Sequence, residues 1–186
     1  MKKNLILYAH GFGGSGFSKK AEILQKHFPV LSLSLPFQPN LAIANLENTL
    51  KYIDSKYEVT LIGSSLGGYY QIYLTEKYNL KCVLINPSIQ PYLTAAKFIG
   101  INFSYYDQSK FEWNQVHTQS LYQYEVQKIN NEKNYMLFIQ KGDEILDYKV
   151  ALKKFPNAYL DIEEGGNHEY QNFEKKMDLI RKFIKI

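Results

Sequence analysis

Residues 59–70 read Val59-Thr60-Leu61-Ile62-Gly63-Ser64-Ser65-Leu66-Gly67-Gly68-Tyr69-Tyr70. Strand formers run from Val59 to Ile62, a glycine-flanked turn follows, and Leu66 to Tyr78 suits a helix. Across that junction the pattern Gly-x-Ser-x-Gly puts Ser65 on a tight strand-to-helix turn, where small neighbours let strand and helix approach closely. The blander reading is a glycine-rich turn with serine as helix cap. The same rhythm extends both ways from this turn. Strands are predicted over 4–9, 30–35, 81–85, 135–140 and 158–162. Helices are predicted over 18–28, with Ser18 as N-cap, and over 41–56, 146–155 and 169–183. Continuous apolar strands alternating with helices imply an α/β fold, an open and mostly parallel sheet with helices on both faces. Right-handed crossovers then gather the loops at the strands' carboxyl ends along one edge.

One stretch breaks the rhythm. Residues 87–133 carry Tyr92, Phe98, Phe103, Tyr105, Tyr106, Phe111, Trp113, Tyr122 and Tyr124. So long an irregular segment reads as a cap insertion or binding loop, or equally as a helical crossover whose aromatics are core. Otherwise the 186 residues read as one domain, 1–186, large enough to fold without staples.

Composition narrows the function classes. With 45% hydrophobic and 22% charged residues the chain is ordinary globular protein. Cys82 is the one cysteine, which excludes an intrachain disulfide and a multi-cysteine metal cluster. The net charge is only +4, and Arg181 is the one arginine, so nothing favours a nucleic-acid partner. No apolar run is long enough to span a bilayer. The opening Met1-Lys2-Lys3 imitates a signal peptide, but its apolar stretch is short and enters His10-Gly11 with no cleavage site. A cytoplasmic protein is the expectation. The oligomeric state stays open, with a monomer compatible.

Two further signals fall at strand ends. Gly165-Gly166-Asn167-His168 follows the last strand. A serine nucleophile needs a general base that titrates near neutrality, and His168 stands where the Ser…Asp…His chain order puts it. His27 at a helix end and His117 in the irregular stretch are the less suitable histidines. Gly142-Asp143-Glu144-Ile145-Leu146-Asp147 follows the 135–140 strand. An acid is needed to hold the imidazole tautomer and stabilise its cation. Asp143, first after the glycine, is favoured. Asp147 is the next alternative and Asp161 a weaker one, while Glu144 is expected to point elsewhere.

Gly11-Phe12-Gly13-Gly14-Ser15-Gly16 matches the dinucleotide fingerprint G-x-G-x-x-G. The acidic residue expected about 20 positions later is missing, since that region reads Val30-Leu31-Ser32-Leu33-Ser34-Leu35-Pro36. The stretch reads better as a His10-Gly11-Phe12 loop whose Phe12 N–H, with the N–H of Leu66, forms an oxyanion hole. No cofactor and no metal is called for.

Taken in order, Tyr8-Ala9-His10-Gly11-Phe12, Ser18-Lys19, Ala21, Gly63 to Tyr70, Asn86-Pro87, Gly142 to Tyr148 and Glu164 to His168 resemble the YqiA-type esterases, compact bacterial α/β-hydrolases. The resemblance runs nearly end to end and is weakest over 101–132, where an acyl or alcohol pocket would be built. It implies an α/β-hydrolase fold and a serine esterase acting on small-molecule carboxyl esters. By carry-over Ser65 is nucleophile, Asp143 acid and His168 base. Short or medium acyl chains suit the aromatic stretch. The alternatives are a thioesterase or acyltransferase using the same triad, or a silent binding module on the same fold.

Overall fold

The computed structural model describes residues 2–53 and 55–185; Met1, Asp54 (inside the expected 41–56 helix) and Ile186 lie outside them. The strands in chain order are β1 (Lys3–Ala9), β2 (Val30–Ser32), β3 (Tyr57–Ser64), β4 (Lys81–Ile85), β5 (Gly100–Phe103), β6 (Lys110–Trp113), β7 (Tyr135–Gln140) and β8 (Tyr159–Glu163). The helices are α1 (Lys19–Gln25), α2 (Pro39–Ile53), α3 (Leu66–Tyr78), α4 (Pro91–Ala95), α5 (Gln115–Ser120), α6 (Tyr148–Lys154) and α7 (Met177–Lys185). One sheet runs in the order β2-β1-β3-β4-β7-β8, every neighbouring pair parallel. β5 and β6 form a separate antiparallel hairpin.

Alternation along the strands supplies both cores. Leu7, Leu61, Leu84 and Leu137 face one side, packed with Leu46 and Leu50 of α2, Leu74 of α3 and Phe155. Ile6, Tyr8, Ile62, Val83 and Phe138 face the other, packed with Leu24 of α1 and Ile180 and Phe183 of α7. Successive side chains point to opposite faces, so apolar residues at consecutive positions bury both faces. From β1 the chain moves out to β2, then returns past β1 to β3. That reversal opens a crevice at the carboxyl ends of β1 and β3. Register pairs Ala9 with Gly63, so the loop after Ala9 and the turn after Gly63 emerge side by side.

Several element boundaries differ from expectation, and four of the shifts have a visible physical reason. β2 stops at Ser32 rather than Leu35 because the backbone beyond bonds elsewhere. The Leu35 N–H donates to His10 Nε2 at 2.9 Å, and the Gly16 N–H donates to Ser34 Oγ at 3.0 Å. α2 starts at Pro39, since proline suits a first helical turn. α6 starts at Tyr148, capped by Asp147, whose side chain accepts the Lys149 N–H. The expected helix over 169–183 is shortened to α7 because Tyr170 and Asn172 take positive φ, 61° and 58°. A 3-10 turn over Phe173–Lys176 then leads into α7.

The aromatics of 87–133 divide. Trp113 and Leu121 are fully buried and join the α2 and α3 core. Phe98, Phe103, Tyr105, Tyr106 and Tyr122 are exposed. The hairpin turn is pinned to the glycine loop, with the Tyr105 N–H donating to the Gly13 carbonyl at 2.8 Å. Among the described residues no helix is long and apolar enough to cross a membrane.

Candidate active site

Ser65 sits between β3 and α3 with φ 53° and ψ −121°. A serine held there stores on the order of 1–3 kcal/mol of backbone strain. The surroundings over-determine it. Its N–H donates to the Ile85 carbonyl at 3.1 Å, and its carbonyl accepts the Ser88 and Gly68 N–H groups at 3.0 and 2.9 Å. The flanking glycines have a packing reason. A Cβ on Gly67 would lie 2.2 Å from the Ala9 carbonyl oxygen, and one on Gly63 would lie 2.5 Å from that of Gly67. Gly11 is close as well: its Cβ would come within 3.1 Å of Ser65 Cβ, so the serine would have to give by a few tenths of an ångström. The glycine run that imitates a dinucleotide loop therefore lets the β1 loop lie against the serine.

The structure brings Ser65, His168 and Asp143 together. Ser65 Oγ is 2.9 Å from His168 Nε2, and His168 Nδ1 lies 2.8 and 3.0 Å from the two Asp143 oxygens. A carboxylate only accepts, so Nδ1 donates to it and Nε2 is left to accept the serine proton. The Asp143 side chain is 2% exposed and that of His168 15%, an enclosed acid behind an accessible base. Asp143 Oδ1 also accepts the Ile145 and Leu146 N–H groups, each at 2.9 Å. These bonds fix the carboxylate before the histidine reaches it.

The rival acids are occupied elsewhere. Asp147 caps α6. Asp161 pairs with Lys176 at 2.6 Å. Glu144 accepts the His168 backbone N–H at 3.0 Å, so it steadies the base without touching the ring. Among the other histidines, His117 caps α5 and His27 lies beside the Phe28 ring. His10 is buried, which holds its pKa below the ordinary imidazole value, and the bond to Gly11 offsets this only in part. Its Nδ1 donates to the Gly11 carbonyl at 2.8 Å and its Nε2 accepts from Leu35, so it shapes the loop as a neutral ring.

The N–H groups of Phe12 and Leu66 make no backbone hydrogen bond among the described residues. Both residues line a cleft of about 250 Å³ that also holds Ser65 and His168. Pro91, Ala95, Phe98 and Leu146 give it apolar walls. A neighbouring cavity of about 370 Å³ lies across the glycine loop, bounded by Phe37, Tyr70, Tyr106 and Phe111. The Phe12 ring stands among Phe98, Phe111 and Trp113, with centroids 5.2, 5.4 and 5.1 Å away.

Sequence reasoning missed the scaffold that carries the histidine loop. Gln140 Oε1 accepts the Asn167 and Gln171 N–H groups at 3.2 and 2.8 Å. Asn86 Nδ2 donates to the Asn167 carbonyl at 2.9 Å, and Asn86 Oδ1 accepts the Gln140 N–H at 2.9 Å. Both residues are 3% exposed. The acid and base loops also interlock: the Gly142 N–H donates to the Gly165 carbonyl at 2.7 Å, and a Cβ on Gly142 would sit 2.5 Å from the Gly166 oxygen. The available signal was a polar residue at the carboxyl end of two apolar strands, where burial demands a partner.

A model of a family described as an uncharacterised protein family, UPF0227, matches residues 5–185. Solved structures are similar over almost the whole chain. A putative hydrolase from Agrobacterium vitis S4 is 13% identical, with a TM-score of 0.77 over 98% of this chain and 88% of that one. Est1E from Butyrivibrio proteoclasticus, solved with ferulic acid, is 15% identical, with a TM-score of 0.69 over 99% and 87%. The Pyrococcus furiosus esterase Pf2001 is 15% identical, with a TM-score of 0.68 over 99% and 81%. At such identities the likeness speaks for the fold, which is that of the α/β-hydrolases.

Proposed function

This chain belongs to the UPF0227 family, the YqiA family, and from that premise we propose that it is a serine esterase hydrolysing carboxyl esters of small molecules. The observation that carries the reading is His168 bridging Ser65 Oγ and Asp143 at 2.9 and 2.8 Å. In the proposed cycle Ser65 Oγ attacks the ester carbonyl while His168 Nε2 takes its proton. The N–H groups of Phe12 and Leu66 hold the oxyanion. The tetrahedral intermediate collapses to an acyl-enzyme as His168 protonates the departing alcohol. Water, deprotonated by the same ring, then releases the acid and restores the serine.

Asp143 keeps the imidazole oriented and stabilises its cation. The apolar walls from Pro91, Ala95, Phe98 and Leu146 suit short or medium acyl chains, and residues 87–133 act as the cap over the cleft. The chemistry needs no metal or organic cofactor. Hydrolysis of 4-nitrophenyl esters of graded acyl length, with Ser65→Ala as blank, tests the reading. Serine-dependent turnover with a maximum at short or medium length is expected. Turnover that survives in Ser65→Ala would overturn it, as would silence across the whole series.

A further inference from the structure

The cleft beside Ser65 is not uniformly apolar. At its α1 end stand Tyr8, Ser18, Lys20 and Glu169, and Lys20 is the one lysine or arginine among the described residues lining it. The Lys20 side chain is 13% exposed, although an ammonium is strongly hydrated in water. An enclosed charge is costly unless paired and hydrogen-bonded. Among the described residues Lys20 Nζ has Glu169 as its one charged partner, at 3.6 Å, the long edge of hydrogen bonding. That carboxylate is itself 85% exposed, so solvent screens the pair and it stabilises little.

Burial lowers the Lys20 pKa, and Glu169 opposes that shift. Tyr8 lies in the same field. Burial pushes its pKa up to about 12, with Glu169 adding to the rise, so its hydroxyl remains a donor at neutral pH. Ser18 Oγ donates to Tyr8 Oη at 3.5 Å. Glu144, the other carboxylate of the cleft, is exposed and is taken up by the His168 N–H. One end of the cleft thus offers unfilled donors on an enclosed cation, while the other end is apolar.

We propose that the esters this chain hydrolyses carry an anionic group, carboxylate or phosphate, which binds Lys20 in the cleft and takes the place of Glu169 beside its Nζ. The inference rests on the esterase reading and names the substrate class for it. A single ammonium is a point charge with rotatable donors, so it accepts either anion without a bidentate geometry. Glu169 is a weak placeholder, standing 3.6 Å from Lys20 Nζ until substrate arrives.

The test compares matched esters on the full chain. A carboxylate on the acyl side is read from 4-nitrophenyl hydrogen adipate against 4-nitrophenyl hexanoate. A phosphate on the alcohol side is read from 4-(phosphonooxy)phenyl hexanoate against phenyl hexanoate. The quantity is the preference, kcat/KM of the anionic ester over that of its neutral partner, in which any general loss of folded enzyme cancels. In at least one arm the preference is expected to be about ten-fold or more. It should fall toward one in Lys20→Gln and rise in Glu169→Gln, whose placeholder no longer competes. A preference absent from both arms, or one that survives Lys20→Gln, overturns the inference while leaving the esterase reading intact. No Ser65-dependent turnover of any ester, neutral ones included, removes both.

Discussion

Replacing Asp143 by Asn changes one atom of a carboxyl group, and hydrogen bonds already in place decide where the new amide nitrogen goes. Oδ1 accepts the Ile145 and Leu146 N–H groups at 2.9 Å each. An NH₂ group cannot sit there without facing two donors, so the amide oxygen keeps that position. The nitrogen takes the place of Oδ2, 2.8 Å from His168 Nδ1. It donates to Nδ1, which must then accept, and the ring proton moves to Nε2. Nε2–H faces Ser65 Oγ across 2.9 Å and cannot take the serine proton. The same tautomer error costs about 10⁴ in kcat in a well-studied serine protease, close to 5.5 kcal/mol at 1.36 kcal/mol per decade. Stability should change by under about 1 kcal/mol, because the turn bonds to Ile145 and Leu146 survive. Steady-state kinetics on a 4-nitrophenyl ester, together with urea denaturation of the same sample, separates the two effects. A loss of kcat smaller than ten-fold would refute the reasoning, as would an equal loss in Asp147→Asn, whose carboxylate only caps α6.

Further outcomes follow from the same geometry. Ser65→Gly should abolish turnover yet raise stability by about 1 kcal/mol, since glycine tolerates φ 53°; a calorimetric melting point unchanged or lower than wild type would contradict this. Gly67→Ala forces a Cβ to 2.2 Å from the Ala9 carbonyl, so a loss of about 3 kcal/mol or failure to fold is expected in denaturant titration. Asn86→Ala frees the Asn167 carbonyl and the Gln140 N–H, and kcat should fall about 10²-fold with KM little changed. His10 has a folded-state pKa below its unfolded value. Its contribution to stability is therefore complete above the unfolded pKa of about 6.5 and declines as pH falls toward the folded value. Denaturation at pH 7.5 and pH 5 should show a larger acid loss in wild type than in His10→Asn.

Much of the fold was legible because strand and helix signals here are strong and local. β4, α3 and β7 need no adjustment, since continuous apolar runs closed by Asn86 or opened by Gly-x-Ser-x-Gly leave few alternatives. Two boundaries shifted where a backbone group found a partner distant in sequence. Leu35 left the β2 edge for His10, and the segment before α7 unwound around Gln140. No local periodicity reports such partners. The meeting of Ser65, Asp143 and His168 was legible for a different reason: each follows the carboxyl end of its own strand, and a parallel sheet delivers those ends to one rim. Asn86 and Gln140 were not, because their roles exist only once β4 and β7 lie side by side. The aromatic stretch resisted a single reading because it does two jobs, Trp113 filling core while Tyr105 and Tyr106 stay in solvent.

The central claim is that Ser65 Oγ is made nucleophilic by His168. A fluorophosphonate probe forms a covalent bond only with such a hydroxyl, expelling fluoride. Intact mass followed by peptide mapping of the labelled chain reads this directly. One adduct per chain on the peptide bearing Ser65, lost in Ser65→Ala and strongly slowed in His168→Ala, is the expected result. An unlabelled wild-type chain, or an adduct at any other residue, would contradict the account.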